Sequence, residues 1–193
     1  HSTTQPEAVI LPMNEQEALL KSLVDRRNAR MAEQMRKQNE QMQEMARNLN
    51  QVMSGLVKNG QVSVSQSNRG VVLDINASAL FEPGEADIQP GASRTLAAVA
   101  QILVPGQQAI EVEGHTDDVP IYTPQFPSNW ELSAARASSV VRLFIEQDVA
   151  AERLVAAGRA SYKPIASNDT AEGRARNRRV TVTILAPVLE RPA

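Results

Sequence analysis

The sequence predicts an α/β sandwich, in which helices cover one face of a mixed β-sheet, preceded by a long coiled-coil-like helix. From residue 60 onwards, short segments that alternate apolar and polar residues are separated by segments with helical periodicity. Before them, residues 14–58 contain no proline and are rich in Glu, Gln, Arg, Met and Leu, which favour helices. A chain of 193 residues, 42% of them apolar, can build one such domain and an appendage.

The N-terminal segment shows no regular pattern before the helix begins. Residues 1–13 contain Pro6 and Pro12 without a clear period, which predicts an extended or disordered segment. Asn14 and Glu17 resemble a capping box, so we expect the helix to start there.

The long helix carries a heptad repeat. Its seam, with alternating spacings of three and four residues, consists of Val24, Asn28, Met31, Met35, Gln38, Met42, Met45, Leu49, Val52 and Leu56. Such a seam is typical of a left-handed coiled coil, which predicts a stalk that joins two chains into a homodimer. The alternative is a helix packed against its own globular domain, because a methionine-rich seam is adaptable.

The globular domain is predicted over residues 60–187, followed by a tail of residues 188–193. Periodicity and turn residues predict, in order, a β-hairpin with strands at 61–67 and 71–75, a helix at 89–104, a strand at 109–113, a helix at 127–147, a strand at 154–157, a short helix at 170–176 and a strand at 179–185.

The composition excludes several kinds of function. The formal net charge is −2, which gives no strong field for nucleic acid. There is no cysteine, and hence no disulfide or thiolate chemistry. A zinc site would have to combine His115 with His1 at the terminus, so we predict no metal and no cofactor. Ser133 and His115 lack the glycine-rich surroundings of a nucleophile elbow.

A crevice is predicted where the strand at 109–113 meets the next helix. The strand runs into Gly114-His115-Thr116-Asp117-Asp118, and a proline-containing loop leads to Ser128 and Glu131, which fit a capping box. Carboxyl ends of strands and amino ends of helices are common ligand positions in α/β folds.

Arg136 lies on the apolar stripe of that helix. The helical spacing places it with Leu132 and Val140, on the side that should face the sheet. A half-buried guanidinium needs a carboxylate, which Asp117 or a ligand could supply. A structural Asp117–Arg136 bridge and a ligand site both remain open at this stage.

Several motifs together resemble one family. They are Asn129-x-x-Leu132-Ser133-x-x-Arg136-Ala137-x-x-Val140-x-x-x-Phe144, Gly114-His115-Thr116-Asp117, Asn177-Arg178-Arg179-Val180, and Phe81 in Leu80-Phe81-Glu82-Pro83-Gly84. The chain resembles the OmpA-like peptidoglycan-binding domains over residues 62–187, with Phe144 in place of the usual leucine. The loop 118–128 and the run 126–133 resemble the MotB-type flagellar stator proteins, including the paralogues MotD and PomB.

The resemblance implies a function. It implies non-catalytic binding of peptidoglycan, which anchors a stator unit to the cell wall so that ion flow can produce torque. The ligand would be the side-chain end of diaminopimelate in the stem peptide, with Asp117 at its ammonium and Arg136 at its carboxylate. The further residues that the resemblance assigns to the site are Thr116, Asn129, Leu132, Phe81 and, as a bracing residue, Arg179.

The resemblance also implies a location and partners. The chain would be the periplasmic domain of a single-pass inner-membrane protein, with its membrane helix upstream of His1, and would assemble with a MotA-type channel subunit. The alternatives are the wall-binding part of an outer-membrane porin or lipoprotein, or a cell-wall hydrolase that uses Asp117 and Glu113.

Two other surface features have more than one interpretation. Trp130 could pack against the proline-containing loop or stack on a sugar ring. The cluster of Arg174, Arg176, Arg178 and Arg179 is not interleaved with aromatic residues, so a solvated or glycan-facing surface fits it better than RNA binding.

Overall fold

A computed structural model of the chain describes Ile10 and residues 12–187. The tail of residues 188–193 and most of the predicted extended segment lie outside these residues. The chain divides into two units, with the boundary between Asn39 and Glu40, inside the first helix.

The first helix, α1, spans Met13–Val52. It begins one residue before Asn14, whose side chain accepts a hydrogen bond from the Glu15 N–H at 3.0 Å. Asn14 is therefore inside the helix, and the predicted capping box is wrong. In the first unit, the seam residues Val24 and Met35 are 42% and 58% exposed.

In the second unit, the end of α1 is part of the hydrophobic core. Met42 and Leu49 are buried there, and Met45 packs against the same core. For these seam positions, packing against the protein's own domain is the correct interpretation. The helix is interrupted at Met53, and a five-residue helix, α2, follows at Ser54–Lys58.

The predicted α/β sandwich is confirmed in the rest of the second unit. The remaining elements are β1 (Val62–Ser67), β2 (Gly70–Asn76), α3 (Pro90–Leu103), β3 (Ile110–His115), α4 (Asn129–Glu146), β4 (Leu154–Gly158), α5 (Ala171–Asn177) and β5 (Arg179–Leu185), with short 3₁₀ helices at Ala77–Ala79 and Ala151–Arg153. All the predicted strands and helices of this region are present, within two residues of their expected ends.

The five strands form one mixed sheet in the order β1-β2-β5-β3-β4. Only β3 and β4 are parallel; the other neighbours are antiparallel. Ile110 and Val112 are buried, whereas Glu111 and Glu113, which alternate with them, are partly exposed, so one face of the sheet carries the core. Helices α3 and α4 supply the other half of that core, including the buried Phe144.

Small residues let α4 lie close to the sheet at the carboxyl ends of β3 and β4. A Cβ at Gly114 would overlap the Ser133 carbonyl oxygen, and one at Gly158 would lie 2.7 Å from the Ala134 nitrogen. This close approach brings the start of α4 next to the residues that follow β3. In the described part of the chain, no helix is both long and apolar enough to cross a bilayer.

Candidate ligand-binding cleft

An open cleft of about 420 Å³ lies where the end of β3, the start of α4 and the segment after β2 meet. Its lining consists of Ala77, Ser78, Phe81, Pro83, Gly84, Thr116, Asp117, Val119, Ile121, Asn129, Leu132, Arg136, Arg174 and Arg178. Most of this surface is apolar, and the charged groups on it are one carboxylate and three guanidinium groups. Such a lining suits a ligand with a few fixed charges.

Asp117 supplies the carboxylate. It lies two residues beyond the end of β3 and is buried. Its Oδ2 accepts a hydrogen bond from Nη1 of Arg178 at 2.7 Å, and its Oδ1 accepts one from the Val119 N–H at 3.0 Å. The Thr116 hydroxyl donates to the Asp117 carbonyl at 2.8 Å. The carboxylate is thus held in one orientation by the turn that follows the strand.

Arg136 reaches the cleft from the buried side of α4 and is only 5% exposed. Its Nε donates to the Glu85 carbonyl at 2.8 Å and its Nη2 to the Glu82 carbonyl at 3.3 Å. The guanidinium carbon lies 4.9 Å from the centre of the Phe81 ring. Backbone carbonyls and an aromatic face therefore fix the position of the group.

No ion pair joins Arg136 to a carboxylate within the described residues. Burial and, more weakly, the nearby Arg178 lower the pKa of Arg136 to about 10, while Asp117 and Glu85 act in the opposite direction. The group remains charged at neutral pH, and an anion that entered the cleft would relieve its desolvation.

Asn129 and Ser128 fix the geometry of the loop between β3 and α4. The Asn129 side-chain amide donates to the Val119 carbonyl at 3.0 Å. Ser128 is the N-cap of α4: its oxygen accepts from the Trp130 N–H at 3.2 Å, and its hydroxyl donates to the Glu131 carboxylate. The pairing of Ser128 with Glu131 that the sequence predicts is therefore present.

Six of the seven predicted site residues meet in this cleft: Asp117, Arg136, Asn129, Leu132, Thr116 and Phe81. Arg179 does not line it. Its guanidinium donates to the carbonyls of Lys163 and Asn177 at 3.0 and 3.2 Å, and its Nε lies 3.7 Å from the Asp74 carboxylate. Arg179 thus connects β5 to the loop before α5, behind the cleft.

The alternative of a structural Asp117–Arg136 bridge is not what the structure contains, because Asp117 pairs with Arg178. The sequence predicts Arg174 and Arg178 only as members of a surface cluster, whereas in the structure both residues line the cleft. The signal that could have identified Arg178 is alternation, since neighbouring side chains of an extended segment point to opposite sides. If Arg179 faces the interior, Arg178 must face the other way.

Comparisons with known proteins agree with this architecture. Residues 80–178 match the OmpA family. The chain is 39% identical over 128 residues to motility protein B of Bacillus subtilis, in an alignment that covers 65% of this chain and 49% of that protein. The chain spans about half the length of the curated relatives it matches.

Solved structures show the same fold. The cell wall anchor of the T6SS from Pseudomonas aeruginosa superposes with a TM-score of 0.67 at 36% identity, over 72% of this chain and 97% of that one. A putative MotB like protein from Desulfovibrio vulgaris superposes with a TM-score of 0.66 at 30% identity, over 78% of this chain and 99% of that one.

Proposed function

The chain belongs to the OmpA family, and from this premise we propose that its cleft binds peptidoglycan and anchors a flagellar motor stator unit to the cell wall. The observation that carries the proposal is the buried guanidinium of Arg136, which faces an open cleft and has no carboxylate partner among the described residues. A buried cation in that position is a ready site for a ligand carboxylate.

The second charge of the cleft specifies the ligand further. Asp117 presents a fixed carboxylate on the same lining as Arg136, so the pair suits a zwitterion. The side-chain end of diaminopimelate carries an ammonium and a carboxylate on one carbon. We assign the ammonium to Asp117 and the carboxylate to Arg136. A ligand with only the ammonium would leave the Arg136 guanidinium buried without a carboxylate, and a ligand with only the carboxylate would gain no attraction from Asp117.

Arg178 adds a condition to this assignment. In the free protein it already donates to one oxygen of Asp117, so the ligand ammonium shares the carboxylate with it. A carboxylate has about four lone-pair positions and can accept both donors. With Arg174 also on the lining, the positive charges of the cleft outnumber the negative one. This balance favours a stem peptide, which carries further carboxylates beyond the zwitterionic end.

The arrangement supports binding rather than hydrolysis. A glycosidase of the common kind needs two protein carboxylates that flank the scissile bond, and Glu113, the second carboxylate considered, does not line the cleft. Its oxygens lie 3.3 Å from the Arg159 guanidinium and 3.4 Å from the His115 ring. We therefore propose that the site is non-catalytic and uses no cofactor.

The function of the whole protein is part of the same proposal. The relative named motility protein B and the structure described as a cell wall anchor support attachment of a membrane machine to the wall. We propose a periplasmic domain of a single-pass inner-membrane protein, in which residues 14–39 form the stalk and the docked end of α1 belongs to the wall-binding domain. A second copy of the chain and a MotA-type channel subunit are its proposed partners. An outer-membrane porin or lipoprotein with the same domain would differ in its upstream sequence.

A binding measurement with a defined ligand tests the proposal. The probe is the tripeptide L-Ala–γ-D-Glu–meso-diaminopimelate, titrated calorimetrically. We expect Asp117→Asn and Arg136→Gln each to weaken binding about 30-fold or more, because each leaves one buried charge unpaired. Purified peptidoglycan sacculi should retain the wild-type protein and release both variants.

Matched variants separate a loss of binding from a loss of folding. Arg142→Gln changes another arginine of α4, and Asp169→Asn changes an exposed aspartate in the turn before α5. Neither residue lines the cleft, so both variants should bind as the wild type does. A tripeptide with lysine in place of diaminopimelate lacks the side-chain carboxylate. The wild type should bind it about as weakly as Arg136→Gln binds the diaminopimelate tripeptide. Unchanged binding in both cleft variants would remove the assignment.

A further inference from the structure

A stacked pair of exposed aromatic rings lies beside the cleft. Trp130, in the first turn of α4, and Tyr162, in the loop after β4, have ring centres 5.3 Å apart and planes inclined by 19°. The two residues are 50% and 69% exposed. Large aromatic side chains are normally used to bury apolar surface, so a stacked pair that remains at the surface is available to a ligand.

The two aromatic rings border a second pocket, which adjoins the cleft. This second pocket has a volume of about 210 Å³ and shares Ile121 and Asn129 with the cleft. Its other lining residues are Asp118, Pro120, Ser128, Trp130, Ala160, Ser161 and Tyr162. Aromatic rings are therefore combined with hydroxyl, amide and carboxylate groups around one depression.

Hydrogen bonds of Ser133 and Ala160 hold together the two segments that carry the rings. The Ser133 hydroxyl donates to the Trp130 carbonyl at 3.0 Å and accepts from the Ala160 N–H at 3.0 Å, so one side chain joins the start of α4 to the loop after β4. The Ala160 carbonyl in turn accepts from the Thr116 N–H at 2.9 Å, which connects the loop to the end of β3. Ala160 has a φ of 48°, an uncommon conformation for a residue other than glycine. The backbone that carries the two rings is thus held by contacts that do not depend on the rings themselves.

We propose that this second pocket binds a pyranose ring of the glycan strand that carries the stem peptide. A pyranose has an apolar C–H face, which packs on an aromatic ring, and a rim of hydroxyl and amide groups, which match the polar lining. An apolar protein segment would instead remove the exposed Asp118 carboxylate from water without offering it a hydrogen bond. Since Ile121 and Asn129 line both the second pocket and the cleft, one ligand can occupy both, with its peptide in the cleft and its sugar on the rings. The inference rests on the proposed function, because it takes the stem peptide to occupy the cleft.

The chain contains one tryptophan, so its fluorescence reports on this pocket directly. We expect peptide-free β-1,4-linked N-acetylglucosamine oligomers to change the emission of Trp130 in a saturable manner. We also expect the disaccharide-tripeptide to bind about tenfold more tightly than the tripeptide alone, as measured calorimetrically.

Alanine variants test whether the two aromatic rings cause the higher affinity for the disaccharide-tripeptide. Trp130→Ala and Tyr162→Ala should each remove most of the difference between the two ligands, and Trp130→Phe should restore part of it. Tyr122→Ala is the matched control, because Tyr122 is an exposed aromatic residue of the neighbouring loop that lines neither pocket. This variant should keep the full difference.

The outcomes separate the two proposals. Failure of the tripeptide to bind contradicts the proposed function of the cleft, whereas a response of Trp130 to peptide-free oligomers supports the sugar pocket independently. Equal affinity of the wild type for tripeptide and disaccharide-tripeptide overturns the inference. So does an advantage that survives in both alanine variants.

Discussion

His115 should make the folded domain less stable as the pH falls from 7 to 5. The imidazole is 4% exposed at the end of β3. Burial lowers its pKa to about 4, and the guanidinium groups of Arg179 and, more weakly, Arg159 act in the same direction. The carboxylates of Glu113 and Asp74 oppose the shift without cancelling it. The folded protein therefore keeps the ring neutral throughout the mildly acidic range.

The sign and size of the effect follow from proton linkage. In the unfolded chain the imidazole binds a proton below a pH of about 6.5, whereas in the folded domain it does so only near pH 4. The contribution to stability is fully present above pH 6.5 and is lost as the pH falls towards 4. Between pH 7 and pH 5, the free energy of unfolding should drop by about 2 kcal/mol through this one group.

Urea unfolding of the wild type and of His115→Gln, each at pH 7 and pH 5, measures this quantity. Glutamine keeps a polar side chain at the position but does not titrate. The variant can differ from the wild type at pH 7, since only the change between the two pH values is compared. We expect the wild type to lose about 2 kcal/mol more than the variant on acidification. Equal losses would refute the reasoning, because they would mean that the folded domain accepts the proton on His115 as easily as the unfolded chain.

Three further predictions concern packing and ligand charge. Leu49→Ala should lower the free energy of unfolding in urea by about 2–5 kcal/mol, because Leu49 is fully buried in the core. Leu23→Ala, on the exposed part of the helix, should change it by less than about 0.5 kcal/mol. Similar losses in both variants would contradict the packing of the end of α1 in the core. Gly114→Ala should destabilise the domain by about 1–3 kcal/mol, because its methyl group would overlap the Ser133 carbonyl, while Gly91→Ala, where the space is open, should be close to neutral by the same assay. Amidating the side-chain carboxylate of diaminopimelate should weaken binding of the tripeptide about tenfold or more in calorimetry. An unchanged affinity would show that Arg136 does not bind that carboxylate.

Local patterns were sufficient to predict most elements of the domain. Alternating apolar residues mark the strands because successive side chains point to opposite faces of a sheet, as in β3. Ser128 marks the start of α4 because its side chain accepts a hydrogen bond from an N–H of the first turn. Arg136 could be assigned to the cleft because helical spacing places it on the same stripe as buried apolar residues.

The features that sequence reasoning missed depend on contacts between distant segments. Whether Arg178 or Arg179 faces the cleft is decided by the register of β5 with β2 and β3, which spacing within the motif does not reveal. Trp130 and Tyr162 become neighbours only because α4 packs against the loop after β4. The heptad of α1 is continuous along the chain, yet Met42, Met45 and Leu49 pack in the domain core, because a seam pattern specifies an apolar stripe and not its partner.

The position of β5 has a consequence for how the protein reaches its working state. This strand lies between β2 and β3, so the pairs β1–β2 and β3–β4 share no hydrogen bonds until β5 joins them. A polypeptide that is made or exported from its N-terminus delivers β5 last of the five strands, and Arg178 immediately before it. The cleft therefore cannot be completed before β5 and Arg178 have been delivered, and long-range pairing of this kind is typically slow. Until then the proposed ligand site lacks one of its charged walls.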